Sequence, residues 1–595
     1  MGNVCGNIFT VWRGSFKFTA AHATYIARIH PNERPKALFD YWMGRIAVFI
    51  SWFLIYVFFS RYAIADTLED TFVALDINLQ PTRYFYSLLA VVSIFAWNLI
   101  VKGDMKNDAK MLGLPNALPP RLPIIAHAQI FWRDYYRIPA ERAYNRLQLL
   151  TTTAQGVIGD AGLTRYWLRP WGPPIVYVSN PHSIRDMFML EEFIEVYIGG
   201  RACRCLPNSL LSCGFGHPMN LLGVLLLQEE VLEMEAQTFV KYSTSLTARV
   251  LAHPNSKLDM LPMIDEVVLD AVCAYAVGPD FRADAALRKH FDTAVDGAAA
   301  VLCAPPPAFP FTSWLWKYIT PEGRILGHAA RNIEQQLVAE VARRRRRMGD
   351  SAATTAKAVC LADYMLVRYP GARDEEIAED LVAFMVQRYS VLAPGIVWSL
   401  REILTEARGK LPRIIRTEGI TASSALRGKA SSTLSVKDRM GLNMPTLERC
   451  VRESLRLHPP APALVPLMLL KDAKLSGYTV KAGSEIRLLP YMVQRSGKYW
   501  KKYDELLFKE ERWSEQARTV HKHFSHYAFG AGLLTCATPE SARKGIQQFC
   551  YSLLKEFNMS VDDDREGMES IRTSVLLPSN GLTLVFKKLS TLNNS

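Results

Sequence analysis

The chain has 595 residues, of which 49% are hydrophobic and 21% are charged, and this composition excludes a disordered or collagen-like protein. Lys and Arg number 70 against 57 Asp and Glu, so the net charge is +13, and five of the positive charges form the single run Arg343 to Arg347. Because no helix-turn-helix or zinc-finger spacing accompanies this charge, we predict no nucleic-acid partner.

Two apolar runs near the start predict a membrane anchor. Residues 46–60 and 84–101 are uncharged, and a basic residue flanks each end of both runs. A spanning helix needs about 20 mostly apolar residues, so the second run is long enough, and the first is so only if its flanking arginines extend to the interface. A pair of buried core helices is the alternative. Because basic flanks stay in the cytosol, we predict an anchor over residues 1–112, folded as a hairpin, and a cytosolic body over residues 113–595.

The pattern of the body predicts one large, mainly helical domain with a minor β portion. Residues 166–168 and 175–179 read as two short strands, and helical periodicity dominates residues 183–410. The arginine run closes one of these helical patterns, so we expect it to be a solvated helix end. Residues 417–436 are rich in Ser, Thr, Ala and Gly, which predicts an inserted flexible loop.

Three charged residues in the C-terminal third form the first motif. Glu453 and Arg456 lie in a helical pattern with i, i+3 spacing, so they share one helix face and can pair. A second arginine, Arg512, follows in the segment Phe-Lys-Glu-Glu-Arg-Trp. Taken alone, this spacing is common in helices and identifies no function.

A glycine-containing loop with a cysteine forms the second motif. The sequence Phe529-Gly-Ala-Gly532 precedes Cys536, and a helical pattern follows the cysteine. Glycines let a backbone pass close to a flat ligand, and a helix dipole favours a thiolate at the start of the helix.

In this order and spacing, the two motifs resemble those of the cytochrome P450 superfamily, over roughly residues 113–590. The resemblance implies a mainly α-helical fold with a minor β portion and a b-type heme whose iron is bound by the Cys536 thiolate, with Phe529 and Gly532 in the heme-binding loop. It also implies that the three charged residues of the first motif form a structural triad and are not catalytic.

The resemblance further implies an oxidoreductase that inserts oxygen from O2 into a lipophilic substrate such as a sterol or a fatty acid. Electrons would come from NADPH through a cytochrome P450 reductase. The predicted anchor places such an enzyme on the endoplasmic reticulum membrane, with its catalytic body in the cytosol.

The chain departs from the family in the long central helix, where relatives carry an acid and an alcohol for proton delivery to bound oxygen. No Asp, Glu or Thr lies between Gln387 and Leu400, and Pro394 should kink the helix. Tyr389 and Ser390 carry the hydroxyl groups nearest the expected site, so we predict that they deliver protons.

A second departure concerns the two heme propionates, which relatives meet with basic side chains. The positions of two such arginines hold Leu534 and Leu467 here, and the glycine usually found two residues after the cysteine is Thr538. Unpaired buried carboxylates are costly, so other donors must replace the missing bases. The candidates are Arg388, His458, His523 and His526.

Three interpretations remain open from the sequence. The first is the monooxygenase. The second is a heme-thiolate isomerase or dehydratase that acts without O2 activation, and the third is a heme-deficient membrane protein of the same fold that binds lipid or serves as a scaffold.

Overall fold

The computed structural model describes residues between 163 and 589, with gaps, of which the longest are residues 167–174, 197–221, 304–320, 350–357, 427–443 and 515–524. The two predicted membrane runs, the predicted anchor as a whole, His523, Gly532 and Leu534 lie outside the described residues. In the described part, the helix Asp374–Thr405 alone is long and apolar enough to cross a membrane, and 83% of its apolar window is buried inside the body.

The described body is mainly helical with a minor β portion, as predicted. Its helices are α1 (Pro181–Phe188), α2 (Glu229–Ala252), α3 (Met260–Ala276), α4 (Ala285–Cys303), α5 (Pro321–Met348), α6 (Leu361–Arg368), α7 (Asp374–Thr405), α8 (Leu411–Leu426), α9 (Pro445–Leu457), α10 (Pro490–Gln494) and α11 (Pro539–Glu556). A 3-10 turn covers Glu510–Trp513.

The strands are short and form small sheets beside the helices. They are β1 (Leu163–Tyr166), β2 (Ile175–Val178), β3 (Ile194–Val196), β4 (Lys257–Asp259), β5 (Leu467–Leu469), β6 (Ala473–Leu475), β7 (Tyr478–Val480), β8 (Glu485–Leu488), β9 (Phe557–Val561), β10 (Glu569–Arg572), β11 (Val575–Pro578) and β12 (Thr583–Lys588). The largest sheet has the order β1-β2-β8-β5-β3, in which β2 and β8 are parallel and the other pairs antiparallel. A second sheet has the order β4-β12-β9.

The first strand, β1, begins before the predicted residues 166–168 and includes Tyr166. Residues 167 and 168 lie outside the described residues. The register pairs Leu163 with Val178 and Tyr166 with Ile175, so β1 matches the full length of its partner β2.

Helix α7 is the centre of the body. It continues through Pro394, is buried along most of its length and packs against α3, α5, α9 and α11. Two glycines allow the close approach of α7 and α11: a Cβ on Gly395 would lie 2.4 Å from the Cδ1 atom of Ile546, and a Cβ on Gly545 would lie 3.2 Å from a methyl of Leu392. Because α11 begins directly after the cysteine loop, this packing positions the loop against the central helix.

The prediction of a solvated arginine run is wrong for two of its members. Arg344 is buried and its Nη1 atom lies 3.0 Å from the Asp363 carboxylate, while the Nε atom of Arg345 lies 2.8 Å from Asp374. The reason is tertiary: α6 and the start of α7 bring acidic side chains against the last turns of α5.

The prediction of a flexible loop at residues 417–436 is wrong for its first half, because α8 continues to Leu426. The small residues of this segment permit close packing instead. A Cβ on Gly419 would lie 2.2 Å from the Tyr551 ring on α11, and the Glu418 carboxylate accepts hydrogen bonds from the backbone and hydroxyl of Thr446 at the start of α9.

Candidate functional site

The structure brings the three residues of the charged motif together. Glu453 and Arg456 project from one face of α9, and the Glu453 Oε1 atom lies 2.8 Å from Arg456 Nη2 and 3.0 Å from Arg512 Nε. All three side chains are fully buried. The second carboxylate oxygen of Glu453 accepts a hydrogen bond of 3.0 Å from the Trp513 indole N–H, so the buried charge is completely enclosed by donors.

The two arginines also bind backbone carbonyls at the end of α10 and in the irregular segment that leads from α10 to the 3-10 turn. Arg456 donates to the carbonyl oxygens of Gln494 at 2.6 Å and Glu505 at 2.8 Å. Arg512 donates to the carbonyls of Asp504 and Leu507. The triad therefore fixes the path of a segment whose described residues form little regular secondary structure.

The cysteine loop is closed by two backbone hydrogen bonds in its described part. The Gly530 N–H donates to the Tyr527 carbonyl at 2.9 Å, and Gly530 has φ of 78°, a left-handed conformation that favours glycine. The Cys536 N–H donates to the Phe529 carbonyl at 2.8 Å, so Phe529 and the cysteine lie at the two ends of one turn.

The surroundings of Cys536 act on the pKa of its thiol in opposite directions. Burial raises the pKa of the Cys536 thiol above its usual value, and the positive charges of Arg388 and Arg543 and a backbone hydrogen bond at Thr538 act in the opposite direction. Thr538 is buried and occupies the residue position directly before α11. The guanidinium of Arg543 lies 5.9 Å from the centre of the Phe529 ring. Cys536 is thus a half-buried thiol whose electrostatic surroundings include the positive charges of two arginines.

Arg388 belongs to a buried network that joins three helices. Its Nε atom donates to the Glu235 carboxylate of α2 at 2.8 Å, and its Nη2 atom donates to the Ser541 hydroxyl of α11 at 3.1 Å. Ser541 in turn donates to Glu235. Arg388 therefore contacts α11, the helix that follows the cysteine loop, where a partner for a heme propionate would be expected. The Glu235 carboxylate, however, already neutralises its charge.

The other described candidates for a propionate partner, His458 and His526, contact aromatic side chains. The His458 ring stacks on Trp398 with 3.7 Å between ring centres, and its Nε2 atom lies 2.9 Å from Glu402. The His526 ring meets the Trp513 ring edge to face at 4.7 Å, next to the triad. Leu467, at one position where relatives carry arginine, is buried in β5.

The two predicted proton donors have different partners. The Tyr389 hydroxyl donates to the Asp292 carboxylate of α4 at 2.9 Å, whereas the Ser390 hydroxyl donates to the Gln387 carbonyl of its own helix at 2.8 Å. Asp292 is an acid that sequence reasoning missed. It is 97 residues from Tyr389 in the chain, and no local pattern indicates the pairing.

The described residues include a side chain suited to bind a heme iron. The site offers one half-buried thiol as a donor, and the hydrogen bond from its backbone N–H to the Phe529 carbonyl fixes its place in the loop. A single sulfur of this kind is the donor chemistry of a thiolate-bound heme iron. Cys536 would bind the metal, and the aromatic and glycine residues of the loop would contact the cofactor.

Comparison with known proteins gives a consistent result. A family model described as Cytochrome P450 matches residues 220–586, more than half of the chain. The chain is 32% identical over 174 residues to a 7-ethoxycoumarin O-deethylase of Helianthus tuberosus, a match that covers 28% of this chain and 32% of that protein. It is 31% identical over 196 residues to a trans-cinnamate 4-monooxygenase of Sorghum bicolor, covering 31% and 36% of the two chains.

A third relative is an ent-isokaurene C2/C3-hydroxylase of Oryza sativa subsp. japonica, 24% identical over 250 residues, with 40% of this chain and 46% of that protein covered. The chain thus spans between about a third and about a half of the length of these relatives.

Proposed function

Since this chain belongs to the cytochrome P450 family, we propose that it is a heme-thiolate monooxygenase that inserts one oxygen atom from O2 into a lipophilic substrate. The family implies heme iron as the cofactor, with electrons supplied from NADPH by a reductase. When bound, the heme supplies the oxygen-activating chemistry, which the electron density of a thiolate ligand promotes. The observation that carries the proposal is the half-buried Cys536 thiol at the end of a loop closed onto Phe529.

In this proposal the residues of the site have separate roles. Cys536 binds the iron, and Phe529 and Gly532 belong to the loop around the cofactor. Glu453, Arg456 and Arg512 hold the irregular segment that precedes the loop, which their contacts with its backbone support.

Proton delivery is assigned to Tyr389 and Ser390. The Tyr389 hydroxyl holds its proton against the Asp292 carboxylate, so an acid and an alcohol meet here from two helices. The Ser390 proton is directed at a carbonyl of its own helix, which leaves the serine oxygen available as an acceptor.

The substrate and the location of the enzyme follow from the N-terminal sequence. Two uncharged apolar runs with basic flanks support an anchor in the endoplasmic reticulum membrane and a cytosolic body. A substrate that partitions into lipid, such as a sterol or a fatty acid, reaches an anchored site most directly.

The test is turnover by the full-length chain with a cytochrome P450 reductase, NADPH, labelled O2 and a membrane lipid extract. We expect substrate-dependent oxidation of NADPH and one labelled oxygen atom in the product. A chain that binds heme but consumes no NADPH with any lipid fraction would contradict the monooxygenase.

A heme-thiolate isomerase or dehydratase is the second candidate. The absence of Asp, Glu and Thr between Gln387 and Leu400 favours it, because rearrangement of a peroxide needs no acid and alcohol for oxygen activation. Conversion of a lipid hydroperoxide by the heme-loaded chain, without NADPH or O2, would identify this activity.

A further inference from the structure

A buried glutamine lies between the triad helix and the cysteine loop. Gln494 is the last residue of α10 and is fully buried. Its Nε2 atom donates hydrogen bonds of 3.1 Å to the carbonyls of both Leu455 and Arg456, and its Oε1 atom accepts one of 2.8 Å from the Tyr527 backbone N–H. Both protons of the amide are therefore used on one side and its oxygen on the other.

The two acceptor carbonyls belong to the end of α9. This helix ends at Leu457, so the carbonyls of Leu455 and Arg456 are among those that have no partner within the helix. Gln494 supplies that partner. Its own carbonyl accepts the 2.6 Å hydrogen bond from the Arg456 side chain, so the residue is attached to the triad through both its backbone and its amide.

On the other side, Tyr527 is the start of the cysteine loop. The Tyr527 carbonyl accepts from the Gly530 N–H, and the Phe529 carbonyl accepts from the Cys536 N–H. Hydrogen bonds and short backbone steps thus lead from Arg456 through the Gln494 amide to the cysteine. The Tyr527 side chain is itself buried, which keeps this end of the loop in the core.

We propose that Gln494 is a positioning residue that fixes the start of the cysteine loop to the triad helix and so holds the Cys536 sulfur where it can bind the heme iron. The inference rests on the proposed function for its heme-dependent part. A glutamine that only fills the core would affect stability alone, whereas a positioning residue also governs how long the thiolate stays bound.

The heme-dependent test uses the full-length, heme-loaded chain with the substitution Gln494→Met, which keeps the length of the side chain and removes its polar atoms. The conversion of the thiolate-bound form to a form without the thiolate is followed in the carbon monoxide difference spectrum of the reduced protein. We expect conversion about tenfold faster than in the unsubstituted chain, the factor that corresponds to the loss of the one hydrogen bond, from the Tyr527 N–H, that attaches the loop to Gln494. Far-ultraviolet circular dichroism shows that the helices remain folded during the measurement.

The matched control is Gln548→Met. Gln548 is also a buried glutamine, and its amide donates to Ser243 at 3.0 Å, far along α11 from the loop. We expect it to lose stability without faster conversion. Equal conversion rates for Gln494→Met and the unsubstituted chain, or equal acceleration in both variants, would overturn the proposal.

A measurement without heme separates this inference from the proposed function. In the heme-free full-length chain, amide hydrogen exchange at Tyr527 should accelerate about tenfold in Gln494→Met and remain unchanged in Gln548→Met. If the unsubstituted chain binds no heme, the proposed function fails, and the exchange result still decides whether Gln494 fixes the loop.

The substitution Gln494→Glu covers the case in which the methionine variant does not fold. A protonated glutamate can donate to one α9 carbonyl and accept from Tyr527. A carboxylate still accepts from Tyr527 but cannot donate to the α9 carbonyls and repels their oxygens, so the loop loses its attachment to α9. Exchange at Tyr527, relative to the unsubstituted chain at each pH, should therefore be close to normal in acid and accelerate as the pH rises. Exchange that is independent of pH in this comparison contradicts the proposal.

Discussion

Glu453 is the residue on which the triad depends. Its carboxylate is fully buried and compensates two buried guanidinium groups. Removing one member of a buried charge network costs about 3–5 kcal/mol, because the remaining charges stay buried. We expect Glu453→Gln to lower the free energy of unfolding by that amount, as measured by urea denaturation of the full-length chain.

The control for this prediction lies on the same helix. Glu448 pairs with Arg452 at 2.7 Å, but both side chains are partly exposed to solvent. Exposed pairs contribute about 0–1 kcal/mol, so Glu448→Gln should change stability little. Equal losses of unfolding free energy in the two variants would show that the buried triad contributes no more to stability than an exposed ion pair.

Glu510 gives the stability of this region a pH dependence. Burial, a hydrogen bond with Glu511 and the charge of Glu511 raise the pKa of Glu510 from 4.5 to about 7. Because the folded chain then holds a proton that the unfolded chain has released, the free energy of unfolding falls as the pH rises from about 4.5 through about 7 and is level above. Urea denaturation at a series of pH values checks this. Glu510→Gln should flatten the slope, and an unchanged slope would contradict the assignment.

At the scale of helices, the Arg388–Glu235 pair joins α2, α7 and α11. Glu235→Gln leaves a buried guanidinium without its counter-charge and should cost about 3–5 kcal/mol. The double variant Glu235→Leu with Arg388→Met removes both charges and should cost less than the sum of its single variants. A double-mutant cycle in urea measures this difference, and additive losses would mean that the two side chains do not interact.

The close contact of α11 with α2 and α7 gives a second prediction at the scale of helices. A Cβ on Gly545 would lie 2.8 Å from the Phe239 ring and 3.2 Å from Leu392, so Gly545→Ala overpacks the interface. Overpacking costs about 1–3 kcal/mol and exceeds the gain in helix propensity of about 1 kcal/mol. Gly327→Ala in α5 meets nothing within 4 Å and should stabilise the chain. Thermal unfolding of both variants checks the opposite signs.

At the scale of the whole molecule, local patterns in the sequence were sufficient for the triad helix and the cysteine loop. Glu453 and Arg456 pair because of their spacing on one helix face, and Gly530, one of the glycines before Cys536, has the left-handed conformation that favours glycine. Glu235 and Arg388 are 153 residues apart and Asp292 and Tyr389 are 97 apart, so only the packing of helices brings them together. For the same reason, the burial of Arg344 could not be read from a run of five arginines.

The net charge of +13 has a different distribution from the one that the sequence indicated. Part of the arginine run is used inside the body, where Arg344 and Arg345 join α5 to α6 and α7. Near the cysteine, Arg388 contributes a positive charge that Glu235 compensates. Positive charge is therefore used in this body to connect helices as well as to face solvent.

The most direct test of the central claim is the carbon monoxide spectrum of the reduced, full-length chain after expression with a heme supply. We expect the Soret band of a thiolate-bound heme in the unsubstituted chain, its loss in Cys536→Ala, and its retention in Cys550→Ala, which replaces a buried thiol on α11, the helix that follows the cysteine loop. Absence of bound heme from the unsubstituted chain, or a thiolate band that survives in Cys536→Ala, would contradict the account.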